Sequence, residues 1–191
     1  RELALTGGAA LALPPDSACL PAVRSWTHGL GADAVIITAA TASNAPVELA
    51  AELARDRARV IMVGVTGMNI PRKPYYEKEL TFIVSRSYGP GRYDPDYEEH
   101  GHDYPPGYIR WTEQRNLQAF LELVAAGSVR PSILTTHRFP IDRAIEAFEL
   151  MLHGGEPYLG IVLTYPSRET PPARRVELPP LRRPLHTDTL G

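Results

Sequence analysis

The sequence has one cysteine, no long apolar run and no marked excess of charge of either sign. Cys19 alone excludes an intrachain disulfide framework and a zinc site built from cysteines. No apolar run approaches the roughly 20 residues of a membrane span, and no signal peptide is recognisable. The net charge of -2, from 20 basic and 22 acidic residues, gives no reason to expect nucleic acid or a membrane surface as a partner. We therefore expect a cytoplasmic protein.

The hydrophobic content of 43% is enough for a substantial core, and the strongest pattern lies in residues 31–67. Two apolar runs, residues 34–38 and 59–65, flank residues 44–56, which have helical spacing. Short continuous apolar runs are typical of strands buried on both faces of a parallel sheet. The pattern predicts a βαβ unit with a right-handed crossover, and ligands would lie beyond the carboxyl ends of its two strands.

Further elements are predicted on both sides of this unit. A helix that ends at Gly7, a short strand over residues 10–13 and a helix over residues 21–30 precede it. A strand from Leu80 to Ser87 follows, and then a helix (112–126), a strand (132–139), a helix from Ile141 and a strand (158–166). The last two helices each carry an apolar stripe that we expect to face the core: Leu117, Phe120, Leu121 and Val124 in one, and Ala144, Ile145, Phe148, Met151 and Leu152 in the other.

Residues 88–111 interrupt this alternation with many tyrosines, glycines and prolines. A connection of this length is unusual and is typical of a lid, a binding loop or a contact loop. His100 and His102 lie in it among five acidic residues, Asp94, Asp96, Glu98, Glu99 and Asp103. An H-x-H pair can bind zinc, but the spacing matches no closed zinc site and lacks the glycine of a calcium loop. We predict a solvated loop and no metal site.

Several segments, taken in order, resemble a known family: GADAVIITAA, RVIMVGV, GSVRPSILTTHRFPIDRAIEAFELM and GIVLTYP. They are similar to the C-terminal half of medium-chain dehydrogenases/reductases, the relatives of zinc-containing alcohol dehydrogenases. The stretch from Glu77 to Val124 looks like a narrower branch, in which such a half is fused to an oxidoreductase of the Gfo/Idh/MocA type. The resemblance implies an α/β fold: a partial Rossmann-like, doubly wound parallel sheet that lacks its first two strands, plus a C-terminal strand–helix–strand return.

The resemblance also implies a division of the chain. Residues 1–128 would form a partial nucleotide-binding domain, and residues 129–166 a return segment that joins a catalytic domain. Residues 167–191, rich in proline and arginine, would be a linker or a disordered tail.

Two features of the family are missing from this sequence. The glycine fingerprint G-x-G-x-x-G is absent, and so is the acidic residue that ends the second strand and discriminates NAD from NADP. The chain also begins at Arg1 without a methionine, which predicts a fragment of a longer polypeptide. We expect the strand over residues 34–38 to have an open edge, and the fragment to be marginally stable, to bind dinucleotide weakly and to be inactive alone.

The resemblance places cofactor contacts at the ends of three strands and no catalytic residue in this chain. The matching residues are Thr38, Ala39 and Ala40, then Val63, Gly64 and Val65, then Ser87, Tyr88 and Gly89. Small residues at Thr38–Ala40 would let a cofactor approach, or would serve helix and strand packing alone. The neighbouring Arg86 could bind a substrate carboxylate or phosphate, but we expect it to form a salt bridge with the acidic loop.

The parent protein would, by this resemblance, transfer hydride between NAD or NADP and a small-molecule alcohol or carbonyl compound of a sugar-like kind. Zinc is compatible with the parent, but its ligands would lie outside this chain. The edge strand from Leu80 to Ser87 would pair across a homodimer. Two alternatives stay open: a non-catalytic interaction or assembly module, and a Rossmann-like domain that binds another ligand, such as S-adenosylmethionine or a mononucleotide.

Overall fold

The computed structural model describes residues 1–166, so the predicted tail lies outside the described residues. The chain forms two compact units, Arg1–Ile133 and a second that begins at Leu134. The helices are α1 (Glu2–Thr6), α2 (Leu20–Trp26), α3 (Ala45–Leu53), α4 (Arg72–Glu77), α5 (Pro95–Glu98), α6 (Glu113–Ala125) and α7 (Ala144–His153). The strands are β1 (Ala32–Ile37), β2 (Ala54–Met62), β3 (Thr81–Val84), β4 (Thr135–Pro140) and β5 (Gly160–Thr164). None of the helices within residues 1–166 is long and apolar enough to cross a membrane.

The first unit contains a parallel sheet in the order β1-β2-β3. Val35 pairs with Val60, and Val60 with Phe82. The predicted adjacency and parallel direction of the two strands of the βαβ unit are therefore confirmed. Because β1 is the end strand, one of its edges has no strand partner within the described chain, as expected.

The predicted strand over residues 10–13 is wrong, since these residues have no regular secondary structure. The backbone groups of a strand need a paired neighbour, and apolar composition alone does not provide one. In the described sheet, β1 is bonded only to β2, so residues 10–13 have no strand beside them with which to form a ladder.

One face of this sheet carries the core of the first unit. Ile37, Val60 and Met62 are buried against residues of α3 and α4. The residues of this core that the helices contribute are Val47, Ala50, Ala51 and Tyr75. Tyr75 also donates a hydrogen bond from its hydroxyl to the Val47 carbonyl, at 3.1 Å. Burial raises the pKa of the Tyr75 phenol from 10.0 to about 12, because the phenolate would lose its hydration.

Helix α3 ends earlier, and β2 begins earlier, than the sequence pattern predicts. The helix stops at Leu53, and Arg57 within β2 has a left-handed backbone with φ 59°. The Lys78 ammonium closes the helix end, donating to the carbonyls of Ala51 and Ala54 at 2.7 Å each. A cation at this position satisfies orphan carbonyls and opposes the negative end of the helix dipole.

Helix α6 confirms the predicted span to within one residue at each end, but its predicted burial is wrong. Leu117, Phe120 and Leu121 are exposed, because no described part of the first unit covers the apolar stripe. An amphipathic helix buries its stripe only where a second apolar surface is available.

The second unit is a strand–helix–strand arrangement, as predicted. Strands β4 and β5 are parallel, with α7 between them in the chain. Here too the expected inward stripe is wrong: Ile145, Phe148, Met151 and Leu152 are exposed, and Ala147 is the one buried residue of α7.

Candidate functional site

The backbone segments that follow β1 and β2 lie side by side beyond the carboxyl ends of these strands. The N–H groups of Val63 and Gly64 both donate to the Ile37 carbonyl at 2.9 Å. Val65 N–H donates to the Ala39 carbonyl at 3.0 Å, and Thr41 N–H donates to the Val65 carbonyl at 2.8 Å. The structure thus brings together six of the predicted site residues: Thr38, Ala39, Ala40, Val63, Gly64 and Val65.

Gly64 is required by the close approach of these two segments. A Cβ atom at this position would lie 2.7 Å from the Thr38 carbonyl carbon and 2.9 Å from the Ala39 nitrogen, and it would overlap the Ala39 carbonyl oxygen. These are backbone atoms, so they cannot rotate away. Backbone packing alone therefore explains the glycine, and its predicted role in the approach of a cofactor stays a prediction.

This junction presents hydrogen-bond acceptors rather than donors. The N–H groups of Val63 and Gly64 are engaged by Ile37, the last residue of β1, and that of Val65 is engaged by Ala39 in the segment after β1. Within residues 1–166, no backbone or side-chain group donates to the carbonyl oxygens of Val63 and Gly64. A ligand group that binds these two carbonyls must therefore be a donor.

The third predicted segment continues β3 and presents donors. Ser85 N–H donates to the Met62 carbonyl at 2.8 Å, so the chain leaves β3 beside the point where β2 ends. Tyr88 and Gly89 then adopt left-handed backbone, with φ of 63° and 94°. In the described part of the chain, the N–H groups of Ser87, Tyr88 and Gly89 have no backbone acceptor.

The turn at Tyr88 and Gly89 is fixed by α6. The Asn116 side-chain amide donates to the Tyr88 carbonyl at 2.8 Å. A Cβ on Gly89 would lie 2.7 Å from that amide nitrogen, in a backbone conformation that already favours glycine. Helix α6 thus positions the segment that carries the three predicted residues.

The expected salt bridge from Arg86 to the acidic loop is wrong. Arg86 instead donates from Nη1 to the Arg92 carbonyl at 2.7 Å, and its guanidinium lies 6.0 Å from the centre of the Tyr93 ring. No carboxylate within residues 1–166 forms an ion pair with it, and four of the five acidic side chains of the loop have other partners.

The loop after β3 has a defined hydrogen-bond network that its sequence does not reveal. Arg115 of α6 donates to the Asp103 carboxylate at 2.5 Å and to the Tyr104 carbonyl at 2.7 Å. Tyr104 stacks on Tyr97 with ring centres 5.6 Å apart and donates a hydrogen bond to Asp94. That bond holds the pKa of Asp94 below its usual value and raises the pKa of Tyr104.

The two loop histidines share one carboxylate. The Nδ1 atoms of His100 and His102 lie 3.3 Å and 2.8 Å from the same Asp96 oxygen. Within residues 1–166, no group of three or more His, Cys, Asp or Glu side chains is placed to hold a metal ion. This arrangement is that of a hydrogen-bonded surface loop.

An apolar cavity of about 780 Å³ lies against β1, α2 and α3. Its lining includes Leu11, Leu13, Trp26 and Leu53, and it extends to Thr38 and Ala39. Most of its wall lies away from the other predicted residues. The sequence does not indicate this cavity, because the apolar residues 10–13, which include Leu11 and Leu13, predict a strand there.

Comparison of the sequence with models of known protein families gave no match, and comparison with curated proteins gave none either. Several solved structures resemble the fold. The zinc dependent alcohol dehydrogenase 2 from Streptococcus pneumonia, in its apo form, is 14% identical with a TM-score of 0.60, over 88% of this chain and 42% of that one. A short chain alcohol dehydrogenase from Escherichia coli CFT073, complexed with the cofactor NADH, is 18% identical with a TM-score of 0.58, over 85% and 41%.

A third similar structure is the alcohol dehydrogenase TADH from Thermus sp. ATN1, which is 23% identical with a TM-score of 0.53, over 76% of this chain and 35% of that one. The chain therefore spans about two fifths or less of the length of these enzymes. At this level of identity the likeness shows the fold alone: an α/β arrangement like part of a dehydrogenase.

Proposed function

We propose that this chain is the part of a nicotinamide-dependent oxidoreductase of the alcohol dehydrogenase type that contacts the nicotinamide end of NAD or NADP. The contacts would come from the nine residues at the ends of β1, β2 and β3. The parallel order of these strands supports this placement, because ligands of such sheets lie beyond the carboxyl ends of the strands.

The observation that carries the proposal is the pattern of unused hydrogen-bonding groups. The carbonyls of Val63 and Gly64 are acceptors without donors, and the N–H groups of Ser87–Gly89 are donors without backbone acceptors, in the described chain. A carboxamide is both a donor and an acceptor on one planar group. The nicotinamide carboxamide therefore suits both sets, whereas a ketone or a carboxylate would leave the two carbonyls unpaired.

The protein residues would hold and orient this end of the cofactor, and a bound nicotinamide would supply the hydride chemistry. The small side chains of Ala39 and Ala40 would leave room for the ring. Any zinc ion would be bound by residues outside this chain.

The finer parts of the proposal rest on the sequence. A sugar-like alcohol or carbonyl substrate, and membership of the branch fused to a Gfo/Idh/MocA-type oxidoreductase, are proposed from the similarity of the stretch from Glu77 to Val124. The proposed domain boundary at residues 128 and 129 rests on the same resemblance.

The test uses nicotinamide itself, since the chain is expected to bind a whole dinucleotide weakly. Titration of the isotope-labelled chain with nicotinamide should shift the backbone amide NMR signals of Ser87, Tyr88 and Gly89, with a dissociation constant of about 1 mM, or about 4 kcal/mol. The matched control is 3-acetylpyridine, which keeps the ring and the carbonyl but lacks the amide hydrogens.

We expect 3-acetylpyridine to bind at least about fivefold more weakly, a difference of about 1 kcal/mol, as expected for one lost hydrogen bond. Equal binding of the two compounds, or shifts that avoid all nine residues, would contradict the proposal.

A second candidate function, assembly, is favoured by β3. This strand ends the sheet order, and its residues Ile83 and Val84 are exposed. We propose that two copies pair through it, because an exposed strand edge accepts another strand. Light scattering of the purified chain should give twice its mass, and Ile83→Lys should return the mass to that of a monomer. A monomeric wild-type chain at about 100 μM would contradict this pairing.

A further inference from the structure

We infer that Arg86 binds an oxyanion, a carboxylate or a phosphate, on the substrate of the proposed oxidoreductase. The inference rests on the proposed function, because Arg86 directly precedes the proposed cofactor segment Ser87–Gly89. It lies two residues beyond the carboxyl end of β3. A guanidinium presents paired N–H donors that match the two oxygens of such a group.

Four of the five acidic side chains of the loop already have partners other than Arg86. Asp94 accepts from Tyr104, Asp103 accepts from Arg115, and Glu98 accepts from Arg92 at 2.5 Å. Asp96 lies between His100 and His102. Glu99, the remaining acid of the loop, forms no ion pair with Arg86 in the described chain. Within the described chain, Arg86 therefore has no direct ion pair with any of the five carboxylates of the loop.

The Arg86 side chain is held in place by two contacts. One of its five N–H groups donates to the Arg92 carbonyl, and its face lies over Tyr93. The position of Arg92 is fixed in turn by a tight turn, in which its N–H donates to the Gly89 carbonyl at 3.3 Å. A side chain fixed in this way loses less conformational entropy on binding than a free arginine would.

Arg86 and Arg92 lie over the same aromatic ring but differ in their ionic partners. Both guanidinium groups lie on the Tyr93 ring, Arg92 at 4.5 Å and Arg86 at 6.0 Å. Arg92 is paired with Glu98, and that pairing raises its pKa. The loop thus pairs Arg92 with a carboxylate and leaves Arg86 without an ion pair and exposed to solvent, where an anionic ligand can reach it.

The test compares three six-carbon compounds by calorimetric titration of the complete chain at low salt: gluconate, glucitol 6-phosphate and neutral glucitol. We expect at least one of the two anions to bind about tenfold more tightly than glucitol. Preference for gluconate would indicate a carboxylate ligand, and preference for glucitol 6-phosphate would indicate a phosphate ligand. Arg86→Gln should remove that tenfold preference. Arg86→Lys should keep part of it, because an ammonium has the positive charge but not the paired N–H donors of a guanidinium.

The matched control is Arg72→Gln, since Arg72 is also stacked on a tyrosine, 4.7 Å from the Tyr76 ring centre. It should leave the preference unchanged. An independent measurement in the wild-type chain is the side-chain NMR signal of Arg86 Nε, which should shift with the anion and not with glucitol.

Equal binding of all three compounds, or an unchanged preference in Arg86→Gln, would overturn the inference. If nicotinamide fails to bind while the anion preference depends on Arg86, the proposed function is wrong and the anion site stands. If nicotinamide binds and the anion preference is missing, the anion site alone is wrong.

Discussion

The two faces of the β1-β2-β3 sheet both carry apolar residues in register and differ in what covers them. Ile37 is 5% exposed beneath α3 and α4, whereas its neighbour Ile36 is 63% exposed on the opposite face. Across that face, Ile36, Ile61 and Ile83 lie in register as an apolar row. An apolar strand sequence therefore makes both faces fit for burial, but the packing helices decide which face is buried.

The largest expected effect comes from substituting the two neighbouring isoleucines in turn. Ile37→Ala should lower the free energy of unfolding by about 3 kcal/mol, because it leaves a cavity beneath the helices. Ile36→Ala should lower it by less than about 1 kcal/mol, since most of that side chain is already in water. Urea unfolding of the two variants measures both values. Equal losses would mean that something covers the Ile36 face in solution.

Gly64→Ala tests how tightly the backbone after β2 packs against the backbone after β1. The added methyl group would meet the backbone of Thr38 and Ala39, which must move apart, and we expect a loss of about 2 kcal/mol. Gly107→Ala is the matched control, because a Cβ there meets nothing within 4 Å. Similar unfolding free energies for the two variants would show that the junction is loose.

Lys78→Met tests the C-terminal end of α3, one of the helices that cover the buried face of the sheet. It removes a charged donor from the carbonyls at the end of α3 and should lower the free energy of unfolding by about 1.5 kcal/mol. Lys73→Met is the control: Lys73 lies on the surface, 3.9 Å from Glu77, and should contribute less than about 0.5 kcal/mol. A loss at Lys78 no greater than at Lys73 would contradict the capping role.

Tyr75→Phe gives the smallest effect at neutral pH, about 1 kcal/mol for the lost hydrogen bond to Val47. Its pH dependence is more specific. Because the folded-state pKa is raised from 10.0 to about 12, the stability due to neutral Tyr75 is complete below pH 10 and is lost as the pH rises through 12. Urea midpoints between pH 9 and 12 should therefore fall less steeply in the variant than in the wild type. Tyr76→Phe, at an exposed position, should leave the wild-type slope unchanged.

The elements that the sequence predicts well are those whose signal is local. The apolar runs of β1 and β2 and the helical period of α6 determine strand and helix without reference to distant residues. The adjacency of β1 and β2 follows as well, because a short crossover limits where the second strand can lie. The positions of the nine candidate residues at strand ends follow from these elements, while their role stays a prediction.

The features that the sequence did not predict depend on which neighbour is present. The apolar stripes of α6 and α7 have ideal spacing and yet are exposed, and residues 10–13 have strand composition without a strand beside them. Arg86 is a similar case, since its carboxylate neighbours are bound to Arg92, Arg115, Tyr104 and the two histidines. Which groups pack or pair with each other depends on distances in the folded structure, and the spacing of residues along the sequence does not give these distances.

Two backbone hydrogen bonds join the segment after β1 to the segment after β2, and two more run from Val63 and Gly64 to Ile37 at the end of β1. At Gly64 no side chain separates the two segments. The two segments are therefore coupled, because displacing one of them would strain the hydrogen bonds to the other. A molecule that pushes on Ala39 from the cavity beside β1 would displace Val65 as well. A displacement at the end of β1 would therefore be transmitted to the end of β2.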